Sequence, residues 1–404
     1  MNVIVGQSGG PTAVINSSLA GVYQAALKAG ADKVYGMEYG IEGLLEERLI
    51  ELNKVLDTQM KVELLKRTPS SFLGSCRYKL KRFEENAADY EKVFSLLEKY
   101  DIGWFFYIGG NDSMDTIAKL SAYAKKIGSK IRFVGVPKTI DNDLMVTDHT
   151  PGYGSAAKFV ATVMKEIVRD ATVYRTNYIT IVEIMGRNAG WLTAACALAK
   201  GADCEGADMI CLPEVPFDYE GFFEKVATLQ KEKKAVVIAV SEGIKLPDGR
   251  YVCELAQSAQ EVDIFGHKKL TGTAAFLAEE CSKRFQTKTR AIELSTLQRS
   301  AAHLTSGTDI TEAYEVGGAA VLAAMQGQSG VAITLVRISD KPYQCTTGVV
   351  EIEKIANYEK KIPLAWINDT HTDMMTSFLD YARPLIQAEL PPFYVDGLPY
   401  HISL

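Results

Sequence analysis

The chain has no long apolar run, no closely spaced cysteine pair and no basic block, and each absence removes a class of function. Nothing approaches the roughly 18–20 consecutive apolar residues that a membrane helix requires. The seven cysteines include no Cys-x-x-Cys pair, so neither a zinc knuckle nor a disulfide framework is indicated. The five histidines show no metal-ligand spacing. With a formal net charge of −6, a nucleic-acid partner is not expected, because it would need a basic face to release counterions. The opening residues, MNVIVGQSGG, carry neither a basic leader nor a cleavage pattern, so a cytoplasmic protein without membrane contact is expected. An anionic ligand would then need positive charge gathered locally in a cleft.

What is present is a regular alternation. Runs such as NVIVG (2–6), IGWFFYI (102–108), IRFVGV (131–136), YITIVEI (178–184), DMICLP (208–213), AVVIAVSEG (235–243) and KTRAIEL (288–294) are separated by helical patterns. Val/Ile-rich strands between helices imply parallel sheets covered on both faces, so the fold class is α/β and doubly wound. At 404 residues there is length for two domains or one large one. Open sheets of this kind bind ligands beyond the carboxyl ends of their strands. Nearly all the Gly-rich, polar punctuation of this chain falls there.

QSGGPT (7–12) joins a strand to a helix through Gly9 and Gly10. Absent side chains let backbone N–H groups approach a phosphate at a helix N-terminus, although a tight turn alone would explain the glycines equally well. GGNDS (109–113) repeats the arrangement, with Gly110, Asn111, Asp112 and Ser113. Helix capping suffices to explain Ser113. No G-x-x-x-x-G-K-[ST] loop occurs. PGYGSAA matches a dinucleotide fingerprint but follows no strand, and is read as a helix start.

PKTIDND (137–143) is the sharpest signal. Asp141, Asp143 and Asp148 crowd into eight residues after a buried strand, with Lys138 just ahead. Solvated surface aspartates are the ordinary explanation, but a carboxylate at a strand end can also act as general base or hold Mg²⁺. Lys138 would then offset charge developing on a phosphoryl oxygen. Arg187, in MGR, and Arg290 and Arg299, in RAIELSTLQR, lie at loop ends, where a guanidinium suits bidentate phosphate recognition.

The run SGGPTAVIN…GSCR…GGNDS…PKTIDND…VEIMGR…SEG…R…QR resembles the phosphofructokinases in order and spacing across nearly the whole chain. The resemblance implies two interleaved α/β domains: about 1–145 plus 303–357 for the phosphoryl donor, and about 146–302 plus 358–404 for the sugar phosphate. It implies transfer to the C1 hydroxyl of fructose 6-phosphate with Mg²⁺. Asp141 would be the base, flanked by Thr139 and Asp143 at the transferring phosphate and metal. Gly9, Gly10, Gly110 and Arg77 would meet the donor. Met185, Gly186, Arg187 and Glu242 would hold the sugar. Thr296, Arg290 and Arg299 would meet its 6-phosphate, with one or more arginines given by a neighbouring subunit of a homodimer or homotetramer.

ATP-using members resemble one another in having glycine at the places of Asp112 and Lys138, whereas acid and lysine mark pyrophosphate users. Pyrophosphate is therefore the expected donor. An ATP-dependent kinase of fructose 6-phosphate or sedoheptulose 7-phosphate is the alternative, and a non-catalytic phosphosugar-binding subunit the alternative of another class. Three positions depart from the family pattern. Asn111 replaces an aspartate that helps hold the metal, Thr296 a histidine or tyrosine, and Tyr178 an arginine found in ATP users.

Overall fold

The computed structural model describes residues 1–256 and 272–404. Its strands are β1 (Asn2–Gln7), β2 (Val34–Met37), β3 (Leu49–Glu51), β4 (Ile102–Gly109), β5 (Arg132–Pro137), β6 (Tyr178–Ile184), β7 (Met209–Cys211), β8 (Ala235–Ser241), β9 (Lys288–Glu293), β10 (Val331–Asp340) and β11 (Tyr343–Glu351). A short hairpin of β12 (Tyr394–Val395) and β13 (Leu398–Pro399) lies in the tail. Two units result: Met1–Ala156 with Arg299–Glu359 and Leu385–Leu404, and Ala157–Gln298 with Lys360–Pro384.

The first unit is built on one sheet in the order β11-β10-β5-β4-β1-β2-β3, parallel except at its two edges, β2–β3 and β10–β11. Alternate residues of each central strand bury into opposite layers. Val3, Val5, Phe106 and Val134 pack on one side with helices Ile15–Lys28 and Gly307–Met325. Ile4, Phe105 and Phe133 pack on the other with helices Ala87–Lys99 and Asn111–Lys126. Both faces being covered, the strands read as continuous apolar runs. The chain reverses direction across the sheet between β1 and β4, so their loops flank the switch point where such sheets bind ligands.

Two glycines let the helices of the first layer meet. A Cβ on Gly21 would fall 2.1 Å from the Tyr314 carbonyl oxygen, and one on Gly317 2.2 Å from that of Ser18. Backbone carbonyls cannot swing aside. Gly21→Val is therefore expected to destabilise the protein by roughly 1–3 kcal/mol, in the range of overpacked cores. Urea unfolding measures this, and an unmoved midpoint would refute the close packing.

The second unit carries a parallel sheet ordered β7-β8-β6-β9, with Ile181, Ile238 and Val240 packed against Phe222, Phe223 and Leu277. Its loops after β6, β8 and β9 again gather at strand carboxyl ends. PGYGSAA does open a helix, Tyr153–Ala171. One boundary differs from the sequence reading, which gave 358–404 as a block to the sugar domain. Residues Leu385–Leu404 belong to the first unit. The Ser306 hydroxyl donates to the Leu385 carbonyl at 2.7 Å, Gly307 N–H to Ala388 at 3.1 Å, and Ile402 N–H to Thr68 Oγ1 at 3.1 Å. Among the described residues no helix is long and apolar enough to cross a membrane.

Candidate active site

In the first unit the loops after β1, β4 and β5 meet through their backbones. Gly9 takes a left-handed turn, φ +76°, and a Cβ there would stand 3.2 Å from Lys138 Nζ. A Cβ on Gly10 would stand 3.1 Å from Arg299 Nη1. The glycines thus allow two cations to lie directly against the main chain. Gly9 N–H donates to the Cys76 carbonyl at 3.1 Å and Ser75 Oγ to that of Gly9 at 2.6 Å, which brings the segment bearing Arg77 alongside. The hydroxyls of Ser8 and Ser113 share a short hydrogen bond that ties the first loop to the second. Lys138 N–H donates to the Gly109 carbonyl at 3.0 Å, and a Cβ on Gly110 would lie 3.6 Å from Lys138's own carbonyl oxygen.

Lys138 is only 2% exposed, and its Nζ donates to the Gly10 carbonyl at 2.6 Å. Burial lowers its pKa to about 8. Arg299 and Arg77 push the same way, while Asp141 and Asp143 oppose them. Burial conversely raises the carboxyl of Asp141 above the usual range, against the pull of Lys138, Thr139 and Arg299. The Asp141 N–H donates to Thr139 Oγ1 at 3.0 Å. The Asp141 carboxyl, a lysine and two arginines therefore share one electrostatic neighbourhood around a bare backbone. Positive charge gathered in this way is what an acidic protein would need to hold an anionic ligand.

Asn111 opens the helix after β4, and its Oδ1 is buried with no hydrogen-bond partner. An orphaned amide oxygen next to a carboxylate-bearing loop suits a hard divalent cation, which takes neutral and charged oxygens together. Asp143 is half-buried and felt electrostatically at Lys138.

Several expected members stand elsewhere. Asp112 faces solvent, its side chain 76% exposed, and pairs with Lys79 at 3.7 Å. Asp148, counted with Asp141 and Asp143 in one acidic cluster, turns instead to Arg337 and His149. Arg299, expected at the sugar's 6-phosphate, has its guanidinium at Gly10 and is felt at Asp141. Arg299 is the residue at which the chain returns to the first unit, and it therefore sits with that unit's loops.

The second unit assembles Met185, Gly186, Arg187 and Glu242. Gly186, φ +145°, donates its N–H to Glu242 Oε1 at 3.3 Å, and Glu242 N–H donates to the Ile184 carbonyl at 3.0 Å. A Cβ on Gly243 would fall 1.9 Å from the Arg187 carbonyl oxygen, so the two strand-end loops are pressed together. Met185 N–H is held by Gln298 Oε1 at 3.4 Å. Thr296 is exposed on the turn after β9. Arg290 is not with these loops. It projects from mid-strand in β9, paired with Thr180 of β6 in register, and its guanidinium lies 3.6 Å from Asp170 and over the Tyr178 ring.

Sequence reasoning passed over Ser8, Ser75, Gln298 and Glu183. Glu183 is buried at the end of β6, where its carboxylate accepts from Ala274 N–H at 2.9 Å, and burial pushes its pKa up to about 7. An acid inside the apolar run YITIVEI was the available signal.

Comparison with known proteins comes down on one family. The phosphofructokinase family model matches residues 2–324. The chain is 41% identical over 406 residues to a pyrophosphate–fructose 6-phosphate 1-phosphotransferase of Xanthomonas campestris, covering 100% of this chain and 96% of that one. A protein of the same name from Methylococcus capsulatus is 40% identical with the same coverages. The crystal structure of a pyrophosphate-dependent phosphofructokinase from Nitrosospira multiformis superposes with a TM-score of 0.89 at 36% identity, covering 99% of this chain and 95% of that one.

Proposed function

This chain belongs to the phosphofructokinase family, and we propose that it moves a phosphoryl group from pyrophosphate to the C1 hydroxyl of fructose 6-phosphate, reversibly. The products are fructose 1,6-bisphosphate and phosphate. The observation that carries the reading is Lys138: a buried ammonium held between Gly9 and Gly10, with Asp141 and Arg299 felt as charges beside it.

Asp141 accepts the proton of the attacking C1 hydroxyl, and burial makes it a stronger base than a solvated carboxylate. Thr139 keeps its backbone in place. Lys138, Arg77 and Arg299 neutralise the oxygens of the transferring and leaving phosphates, against the main chain of Gly9, Gly10 and Gly110. Asn111 and Asp143 would hold Mg²⁺, which when bound neutralises phosphoryl charge. Asp112, on the first turn of the helix after β4, faces solvent beside Lys79, so the choice of donor is carried by Lys138. Met185, Gly186, Arg187 and Glu242 orient the sugar, and Thr296 borders its phosphate.

Arg290 stands exposed on the edge strand β9, away from its own unit's strand-end loops. That placement supports a homo-oligomer, dimer or tetramer, in which its guanidinium completes the sugar-phosphate site of a neighbouring copy. The reading places the enzyme in the cytoplasm, where sugar phosphates are interconverted. Purified protein with Mg²⁺ and fructose 6-phosphate is expected to prefer pyrophosphate over ATP in kcat/KM. Lys138→Gly combined with Asp112→Gly is expected to lower that preference. A native preference for ATP would reject the donor assignment while leaving the family intact.

A further inference from the structure

The loop that carries Asp141 and Asp143 returns through Thr147–Thr150, and that return leg holds an ion cluster with no part in the mechanism above. His149 is 1% exposed. Its Nδ1 lies 2.8 Å from Asp148 Oδ2 and its Nε2 2.6 Å from Glu312 Oε2. Both ring nitrogens face carboxylate oxygens, so both must donate, and the ring is an imidazolium. Arg337 donates to Asp148 Oδ2 from Nε and Nη2 at 3.1 and 2.9 Å, and Tyr343 OH donates to Glu312 Oε1 at 2.6 Å.

The charges come from every element packed around the ring. Asp148 belongs to the loop, Glu312 and Asp309 to the helix Gly307–Met325, Arg337 and Asp340 to β10, and Tyr343 and Cys345 to β11. Two cations thus face the buried Glu312 and the partly buried Asp148. Apolar residues of similar volume would stabilise such a site at least as well, because desolvation offsets most of the Coulombic gain. Stability alone is therefore a weak reason for the cluster.

Its position offers a stronger one. Thr139 N–H donates to the Pro151 carbonyl at 3.2 Å, Thr150 Oγ1 to that of Thr139 at 2.8 Å, and Thr150 N–H to Asn142 Oδ1 at 3.0 Å, so the loop is closed at its neck. Asp148 N–H donates to the Leu335 carbonyl at 2.9 Å and Leu335 N–H to Thr147 Oγ1 at 2.9 Å, which fastens the return leg to β10. The charged side chains extend that fastening to the helix and to β11.

We propose that protonated His149, gripped by Asp148 and Glu312, is a positioning residue for phosphoryl transfer: it fixes the return leg of the Thr139–Thr150 loop and thereby the place of Asp141. This rests on the reading of Asp141 as the base. Burial works to strip the proton from His149, but the hydrogen bonds to Asp148 and Glu312 outweigh it and hold the ring above the ordinary imidazole pKa. The clamp is therefore complete below the ordinary imidazole value and is lost as pH rises through the raised one.

The test is His149→Gln in the full chain, assayed with pyrophosphate, Mg²⁺ and fructose 6-phosphate. A misplaced base should cost kcat roughly tenfold to a hundredfold, with the KM of both substrates nearly unchanged. Adding Glu312→Gln removes the carboxylate left without its cation, so the double variant is expected to recover part of the loss. At saturating substrates the native alkaline fall in kcat should be shallower in His149→Gln, which keeps only the later limb due to Lys138. A kcat within threefold of native, or single and double losses that simply add, overturns the proposal. If His149→Gln does not fold, Tyr343→Phe takes its place: a smaller kcat loss at constant KM supports the clamp, and an unchanged kcat overturns it. The rival occupant is a transition metal, since Cys345 offers a third ligand atom within 4.8 Å of those of His149 and Glu312. Stoichiometric zinc uptake by equilibrium dialysis, with activity lost to chelation and restored by zinc, overturns the ion-pair account. Loss of activity in Asp141→Asn alongside a normal His149→Gln refutes this inference alone, whereas a native protein inactive with pyrophosphate refutes the parent reading.

Discussion

Asp141→Asn is expected to lower kcat by roughly 10²–10⁴ with little change in thermal stability, the usual cost of removing a general base. The amide is isosteric and can still accept from its surroundings, but it cannot take a proton from the sugar hydroxyl. Substrate binding should survive. Lys138, Arg77 and Arg299 remain to meet the donor, and removing a buried carboxylate would leave their positive field stronger toward anions. KM for pyrophosphate is thus expected to stay level or fall while kcat collapses, the pattern of an interaction made only in the transition state. Steady-state kinetics with both substrates varied gives both constants. A proportionate rise in KM with kcat preserved would show that Asp141 binds and does not abstract. The raised carboxyl also predicts the acid limb of the native profile: kcat declines as pH falls and Asp141 takes up its proton, and the asparagine variant should lack that limb.

The parts of this molecule that could be read from its sequence are those where one rule acts alone. The strands β1, β4, β5, β6 and β8 are buried on both faces, so each appears as an unbroken apolar run. The hairpin β10–β11 carries no such signal. It is an edge ribbon whose outer half alternates half-buried and exposed residues, and no unbroken apolar run marks such a pattern. The loops at the strand ends were legible because glycine and acid sit where a sheet of this class leaves room for a ligand. Side-chain direction was not. Asp141 and Asp148 are seven positions apart and look like one cluster, yet one faces Lys138 while the other is drawn to Arg337 and His149. That choice is made by β10, nearly two hundred residues later in the chain. His149 was passed over for the same reason: its partner Glu312 lies on a distant helix, and no local spacing announces the pair. Arg290 shows the limit most plainly. Its number places it near a strand end, but its register opposite Thr180 sets it at mid-strand, and register depends on which neighbour a strand pairs with.

Lys138→Met is expected to reduce kcat/KM for pyrophosphate by roughly 10²–10³, the scale of losing one preorganised charge from a site of this kind. Methionine fills most of the lysine's volume, so the change removes charge and leaves packing nearly intact. The loss is large because the ammonium is buried. Water cannot screen it, and the Gly10 carbonyl that it meets at 2.6 Å holds it in place before the donor arrives. Pyrophosphate brings no adenosine to share the work of anchoring, so a nucleotide-free donor depends on such contacts more than ATP would. Burial also lowers the Lys138 pKa to about 8, which fixes the sign of the pH effect. Below that value the free enzyme carries the charge, and above it the amine is neutral. The native kcat/KM for pyrophosphate should therefore fall as pH rises past about 8, approaching a tenfold drop per pH unit. In Lys138→Met the same plot should start low and lose the bend near 8, keeping only the alkaline fall that His149 imposes through kcat. At saturating pyrophosphate the bend should move to higher pH, because a bound anion favours the protonated amine. A methionine variant that keeps the native inflection would assign it to another group and leave Lys138 a packing residue.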